Sequence, residues 1–210
     1  AIFGNFVNRT LVLTHKYFEG KVPAMVNLNE KDQTAIEEMN QYPDKIAHLL
    51  DTYKFREALS ELMNLARLGN RYLTENEPWK QFKTDPERVK TVLAVSLQIV
   101  AKLAILSEPF LPFSAKKLQT MIGLEVSGWN QAKETVLLNE DSVIGEVELL
   151  FTKIEDETVA AQVKKLEDTK AQNELNAWAP KPIKPETNID EFGKMDIRVG
   201  TVLECVKVPK

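Results

Sequence analysis

The sequence predicts an all-α protein, an antiparallel bundle of about five helices followed by an extra C-terminal helix, a linker and a truncated β-strand stub. Three observations carry this. Apolar residues recur at spacings of three and four in successive segments of the first 122 residues. Glycine and proline clusters separate those segments. No internal repeat of solenoid length and no low-complexity tract is present.

In the opening segment, 1–19, Phe3, Phe6, Thr10, Leu13 and Tyr17 fall on one face, and Gly20 and Pro23 stop the helix. A second helix runs from about Asn29 to Leu50. Asn29 is a capping residue with Asp32 three positions on, and Pro43 is expected to kink or split the helix. The third carries Phe55, Leu59, Leu62, Met63, Ala66, Asn70 and Leu73 on one face, and Glu75-Asn-Glu-Pro78 ends it. A fourth starts at Asp85-Pro86, a cap followed by proline at the first helical position. It is apolar nearly all round, as a helix packed on several sides must be, and Pro109 and Pro112 end it. A short fifth covers Ser114 to about Ile122. Residues 124–154 carry glycines and runs such as Glu134-Thr-Val-Leu-Leu138, which read as irregular structure with one or two short strands. Then come a charged helix with a narrow apolar stripe over 156–177, a proline linker over 178–188, and a segment over 189–210. In the last, Met195, Ile197, Val199, Thr201, Leu203 and Cys205 alternate with polar residues, the period-two pattern of a strand.

Composition narrows the chemistry. With 27 Lys and Arg against 31 Asp and Glu, the net charge is −4. That argues against a basic non-specific nucleic-acid coat, although a reader of a few nucleotides needs only a local field. The single cysteine, Cys205, excludes an internal disulfide and an all-cysteine zinc site. His15 and His48 lie far apart without a ligand motif, so both read as packed or surface histidines. A reducing cytoplasmic location is expected. Val92–Leu106, the longest apolar stretch, is interrupted by Ser96, Gln98 and Lys102, so no membrane span is expected. The chain opens partway into a helical pattern and without Met, which reads as a piece of a longer protein. No phosphate loop, dinucleotide glycine fingerprint, paired-histidine metal motif or nucleophile elbow is present, so no catalytic residue is assigned.

Two places carry positive signals. Asn5 and Arg9 are four apart and share a helix face, with Lys16 about two turns further on. An amide beside a guanidinium offers donors and acceptors for a base edge while holding phosphate; the plainer reading is a solvated stripe. Pro78-Trp79 follows a helix end. An indole there serves either as a platform for one unpaired base or as filler between helices.

These pieces resemble the C-terminal half of the methionyl-tRNA synthetase family. The resemblance rests on Asn5-Phe-Val-Asn-Arg9 with Phe18-Glu-Gly20, and on Phe55-Arg-Glu-Ala-Leu59 leading to Ala66-Arg-Leu-Gly-Asn-Arg-Tyr72 and Glu77-Pro-Trp79. Leu106-Ser-Glu-Pro-Phe-Leu-Pro112 and Leu149-Leu-Phe-Thr-Lys-Ile154 extend it over most of 1–155, and that stretch is taken as one anticodon-binding bundle. The resemblance implies that Trp79 stacks on an anticodon base, that Asn5 and Arg9 read or hold anticodon nucleotides, and that Pro78 shapes the pocket, the anticodon being CAU of methionine tRNA. Residues 189–210 are similar to the entry of an appended tRNA-binding module of the oligonucleotide-binding fold, which in complete form pairs into dimers. The family's ATP-binding signatures and zinc-bearing insertion have no counterpart here, so the resemblance implies no cofactor for this chain and places ATP and zinc in a separate catalytic domain, which is then a partner. Two alternatives stand beside this: the bundle of another class I synthetase, of leucine, isoleucine, valine or cysteine type, or a helical protein-interaction domain with no RNA role.

Overall fold

The structure is a computed structural model and describes residues 2–176, 183–186, 188–196 and 198–205. It divides into two units, 1–153 and 154–210. The first contains α1 (Ile2–Phe18), α2 (Glu30–Asp51), α3 (Phe55–Asn76), the single turn α4 (Pro78–Gln81), α5 (Pro86–Leu106), α6 (Pro112–Met121) and a 3-10 turn at Trp129–Lys133.

Local chemistry sets the boundaries. Phe3, Phe6 and Thr10 on α1 are buried as the spacing predicts, while Leu13 and Tyr17 are half-buried against the core. The helix ends where Glu19 and Gly20 turn left-handed, at φ 54° and 77°. Asn29 and Asp32 form a full capping box: the Asp32 N–H donates to Asn29 Oδ1 at 3.0 Å, and the Asn29 N–H donates to Asp32 Oδ2 at 2.9 Å. Pro43 does not split α2, which runs unbroken from 30 to 51 with the proline buried inside it. The lost backbone bond is outweighed by tertiary packing on both sides of the proline, where Met39, Tyr42 and Ile46 are all buried. On α3 the core face begins at Ala58 and Leu62. Phe55 and Leu59, expected inside, are exposed at the α2–α3 corner, where Tyr53 and Phe55 meet edge to face at 6.2 Å. The helix runs three residues beyond Leu73 and stops at Glu77, whose left-handed φ of 40° precedes Pro78.

The central helix is α5. Asp85 caps it, accepting from the Arg88 N–H at 2.9 Å, and Pro86 opens it. All residues from Thr91 to Leu106 are buried. By length and apolarity it is the one helix among the described residues that passes as a membrane span, yet it is enclosed by its own bundle. The interruptions noted in the sequence have a purpose. Gln98 donates to Leu138 O and accepts from the N–H groups of Leu137 and Leu138. Lys102, one turn on, donates to the carbonyls of Ala132 and Glu134 at 2.6 and 2.7 Å. Burial pushes the Lys102 ammonium down to about 8, with the Glu134 charge opposing. These bonds replace the strands expected over 124–154: residues 134–153 form a belt without regular structure, and the described residues hold only an isolated bridge between Lys21 and Val143. His15 Nε2 donates to Gly145 O at 2.9 Å and closes the belt on α1.

One buried charge cluster joins α2, α3 and α5. Asp32 is fully buried, and Arg88 grips it with Nη1 on Oδ2 at 2.5 Å and Nη2 on Oδ1 at 2.8 Å. Tyr72 donates its hydroxyl to the same carboxylate at 2.5 Å, and Arg88 Nη2 also reaches Asn76 Oδ1 at 2.7 Å. Burial raises the Asp32 pKa, but the hydrogen bonds from Arg88, Tyr72 and the Asn29 backbone, with the Arg88 charge, outweigh it and hold the carboxyl below its ordinary value.

In the second unit α7 (Asp156–Leu175) has no buried residue, and Val159, Val163 and Leu166 of its stripe are exposed. A single turn, α8 (Ile189–Phe192), capped by Asn188, stands where the final segment begins. The strand expected at 195–206 is not formed: described residues 195, 196 and 198–205 belong to no strand, because one strand without a ladder partner cannot bury a face. Ile197 and Val206, like most of the linker, lie outside the described residues; Ile183–Glu186 have no regular structure.

Two outcomes test this account. Asp32→Asn leaves Arg88 without its charge partner and is expected to cost about 3–5 kcal/mol in denaturant unfolding. Because the folded Asp32 pKa is depressed, its stabilisation stands in full above about pH 4 and is lost as pH falls through the folded value; the variant's stability should be flatter with pH over that window. The second concerns Gly69, where an added Cβ would sit 2.3 Å from the Phe6 ring. Gly69→Ala should destabilise by about 1–3 kcal/mol despite alanine's better helix propensity, with a smaller loss in a Phe6→Leu background; calorimetry of the four chains decides it.

Candidate nucleic-acid interface

The candidate site forms where the α3–α5 connection crosses α1. Glu77 ends α3 in the left-handed region, and Pro78, buried and at the first helical position, starts α4. The Phe82 N–H donates to Pro78 O at 3.1 Å and closes the turn. Trp79 is therefore held on a short helical turn of its own. It is 37% exposed, so neither the free-standing platform nor the buried filler of the two sequence readings describes it fully.

Arg9 meets it. The guanidinium carbon lies 4.8 Å from the centre of the Trp79 ring, a cation–π contact between α1 and α4. At a partly exposed site this is worth about 0.5–1 kcal/mol. Arg9 has no carboxylate or hydrogen-bond partner among the described residues, so its N–H donors are open to a ligand. Other exposed rings, such as Phe113 at 91% and Tyr53 at 81%, carry no cation on their faces among the described residues.

Asn5 is exposed one turn before Arg9, on the same face, at the roughly 5–6 Å Cβ spacing of such a pair. The first turn of α1 is fixed under it: Asn70 of α3 donates to Ile2 O at 2.9 Å, and the Phe6 ring lies over Gly69. Asn5 itself makes no hydrogen bond to a described residue and does not share the Arg9–Trp79 contact. Pro78 acts from beneath, setting the turn. Lys16 continues the α1 stripe and sits 5.5 Å from the Tyr17 ring centre. Of the two histidines, His15 is spent on Gly145 and His48 accepts no role here; no cluster of metal-ligating side chains occurs among the described residues.

At this crossing the sequence marked Tyr17 only as a core-facing residue and did not mark Phe82. Tyr17 and Phe82 stack with centroids 4.0 Å apart and planes 14° apart, and Phe18 meets Phe82 edge-on at 6.1 Å. The signal for Phe82 was the Trp79-x-x-Phe82 spacing, which puts the indole and the Phe82 ring on one side of a helical turn.

Comparison with known proteins bears on this geometry. The family described as the anticodon binding domain of methionyl tRNA ligase matches residues 22–171, a span that includes Pro78 and Trp79 and follows Asn5 and Arg9. The methionine–tRNA ligase of Parabacteroides distasonis is 54% identical over 210 residues, and that of Porphyromonas gingivalis 55% over 211; each alignment covers all of this chain and 31% of the relative. The chain thus spans about a third of the length of these relatives. Methionyl-tRNA synthetase of Mycobacterium tuberculosis in complex with methionyl-adenylate shares the fold, with a TM-score of 0.68 at 22% identity over 73% of this chain and 31% of the other. The match over the helical body and the full-length similarity together place this chain in the methionyl-tRNA ligase anticodon-binding domain family.

Proposed function

We propose that the chain binds the anticodon loop of methionine tRNA, with CAU as its target, as the C-terminal part of a cytoplasmic methionine–tRNA ligase. The observation that carries this is the Arg9–Trp79 contact at an exposed helix crossing. RNA loops are read by splaying bases onto aromatic rings and bonding their exposed edges. Trp79 supplies the ring. Asn5 supplies an amide, whose N–H and carbonyl can donate and accept side by side at a base edge. Arg9 supplies fork-shaped donors for a phosphate or a base carbonyl.

The relatives' greater length supports a division of labour. Methionyl-adenylate formation and transfer, with ATP and zinc, belong to the parent's catalytic domain, the bundle's partner within one chain. Residues 189–210 begin the appended tRNA-binding module, and a homodimer of the parent would form through that module when complete. A bundle from another class I synthetase would follow a different anticodon, so exchanging CAU in a test tRNA separates the two. A protein-interaction domain would be indifferent to both.

Trp79→Ala is expected to weaken binding to a CAU stem-loop by about 1–3 kcal/mol, or about 5- to 150-fold, with the helical circular dichroism spectrum unchanged. Equal affinity in the titration rejects the stacking role. Arg9→Gln should weaken binding and make the fall of affinity with salt shallower by about 0.7 in log–log slope, the signature of one lost contact to a single-stranded phosphate. An unchanged slope assigns Arg9 to base reading instead.

A further inference from the structure

We infer that Tyr17 and Phe82 are positioning residues for RNA binding, a ring clamp that holds α4 against α1 and thereby presents Trp79. The inference rests on the anticodon-loop reading of the Arg9–Trp79 site.

Four observations lead here. First, α4 is one turn, Pro78–Gln81, too short to hold its own orientation. Second, its exposed residues Trp79 and Lys80 do little to anchor it, Lys80 being tied to Glu77 within the same turn at 2.7 Å. Third, the Phe82 N–H donates to Pro78 O, so the backbone that carries the Phe82 ring belongs to the same turn as Trp79. Fourth, Phe82 is gripped from α1 on two sides, stacked on Tyr17 at 4.0 Å and met edge-on by Phe18. Trp79 and Phe82 are thus matched to Arg9 and Tyr17, two turns apart on α1. The cation–π contact alone is weak at an exposed site. Packing on α5 and the buried Pro78 seat the turn; the stacked pair adds a second attachment to α1 beside the Arg9–Trp79 contact, on the side where the indole is presented. Binding to a preset ring avoids the ordering cost that a swinging one incurs.

The test uses the full 210-residue chain carrying Trp129→Phe and Trp178→Phe, which leaves Trp79 as the only tryptophan of three. Phe82→Ala is compared with Phe82→Tyr, which keeps a stacking ring. Two readouts are taken: acrylamide quenching of Trp79 fluorescence, and affinity for a CAU stem-loop. Phe82→Ala should raise quenching and weaken binding by about tenfold although every proposed RNA-contacting side chain remains. Phe82→Tyr should restore both to within about twofold. Trp79→Ala combined with Phe82→Ala should bind no worse than Trp79→Ala alone, because the clamp acts only through the indole. Where Phe82→Ala loses the fold, Tyr17→Leu opens the same stack from α1 and is judged alike. If Phe82→Ala binds as the parent does while Trp79→Ala is weakened, the clamp is overturned and the anticodon reading stands. If Trp79→Ala itself binds normally, both fall.

Discussion

A carboxylate with no exposed surface needs partners on every lone pair, and Asp32 finds them on α3, on α5 and at the cap of its own helix. Its oxygens accept from Arg88 at the start of α5, Tyr72 on α3 and the Asn29 backbone before α2. Since α3 and α5 are the two ends from which the 77–85 connection hangs, this cluster fixes the base of the segment that carries Trp79. Arg88 reinforces the bracket by bonding Asn76, the last residue of α3. A hydrophobic patch of the same size would hold the helices together but leave their rotation looser, because dispersion contacts are not directional while a bidentate guanidinium–carboxylate pair is.

Above that base the organisation is a series of crossings made specific by polar or aromatic side chains. Asn70 and Gly69 seat the beginning of α1, Arg9 and Tyr17 meet the α4 turn, and His15 receives the belt. The overall acidity of the chain is compatible with binding an anionic ligand because the cation at the crossing has no acidic neighbour bonded to it among the described residues. A net charge of −4 spread over the surface is screened within about 8–10 Å at ordinary ionic strength, whereas a phosphate at Arg9 would lie in direct contact.

The helices were legible because their signals are local: the cap at Asn29, the Asp85-Pro86 start, the glycine stop at Gly20 and the apolar girth of α5 depend on neighbours in sequence. Asn5, Arg9, Pro78 and Trp79 were legible as candidates for the same reason. The meeting of Arg9 with Trp79 was expected only through the family resemblance, which puts both in one pocket, and the pairing of Tyr17 with Phe82 was not legible at all, since each joins residues about 65–70 positions apart and no periodicity encodes such a distance. The belt over 134–153 was misread for a related cause. Its β-leaning residues find no strand to pair with; Gln98 and Lys102, which look like flaws in an apolar helix, satisfy its backbone instead. Tertiary partners overrode propensity there, as they did at Pro43.

Gly69 is a notch into which the far edge of the Phe6 ring fits. Phe6 and Arg9 are three residues apart, so they are rigidly geared: the azimuth of α1 that lets the ring enter the notch is also the azimuth that aims the guanidinium at the indole. A position deep in the interior, with no access to any ligand, therefore sets the aim of the surface. On the proposed RNA-binding role, sequence drift at 69 would be felt as a change in affinity as well as in melting temperature, and a repacked interior that preserved volume yet turned α1 by a few degrees would give a well-folded protein with a blunted grip.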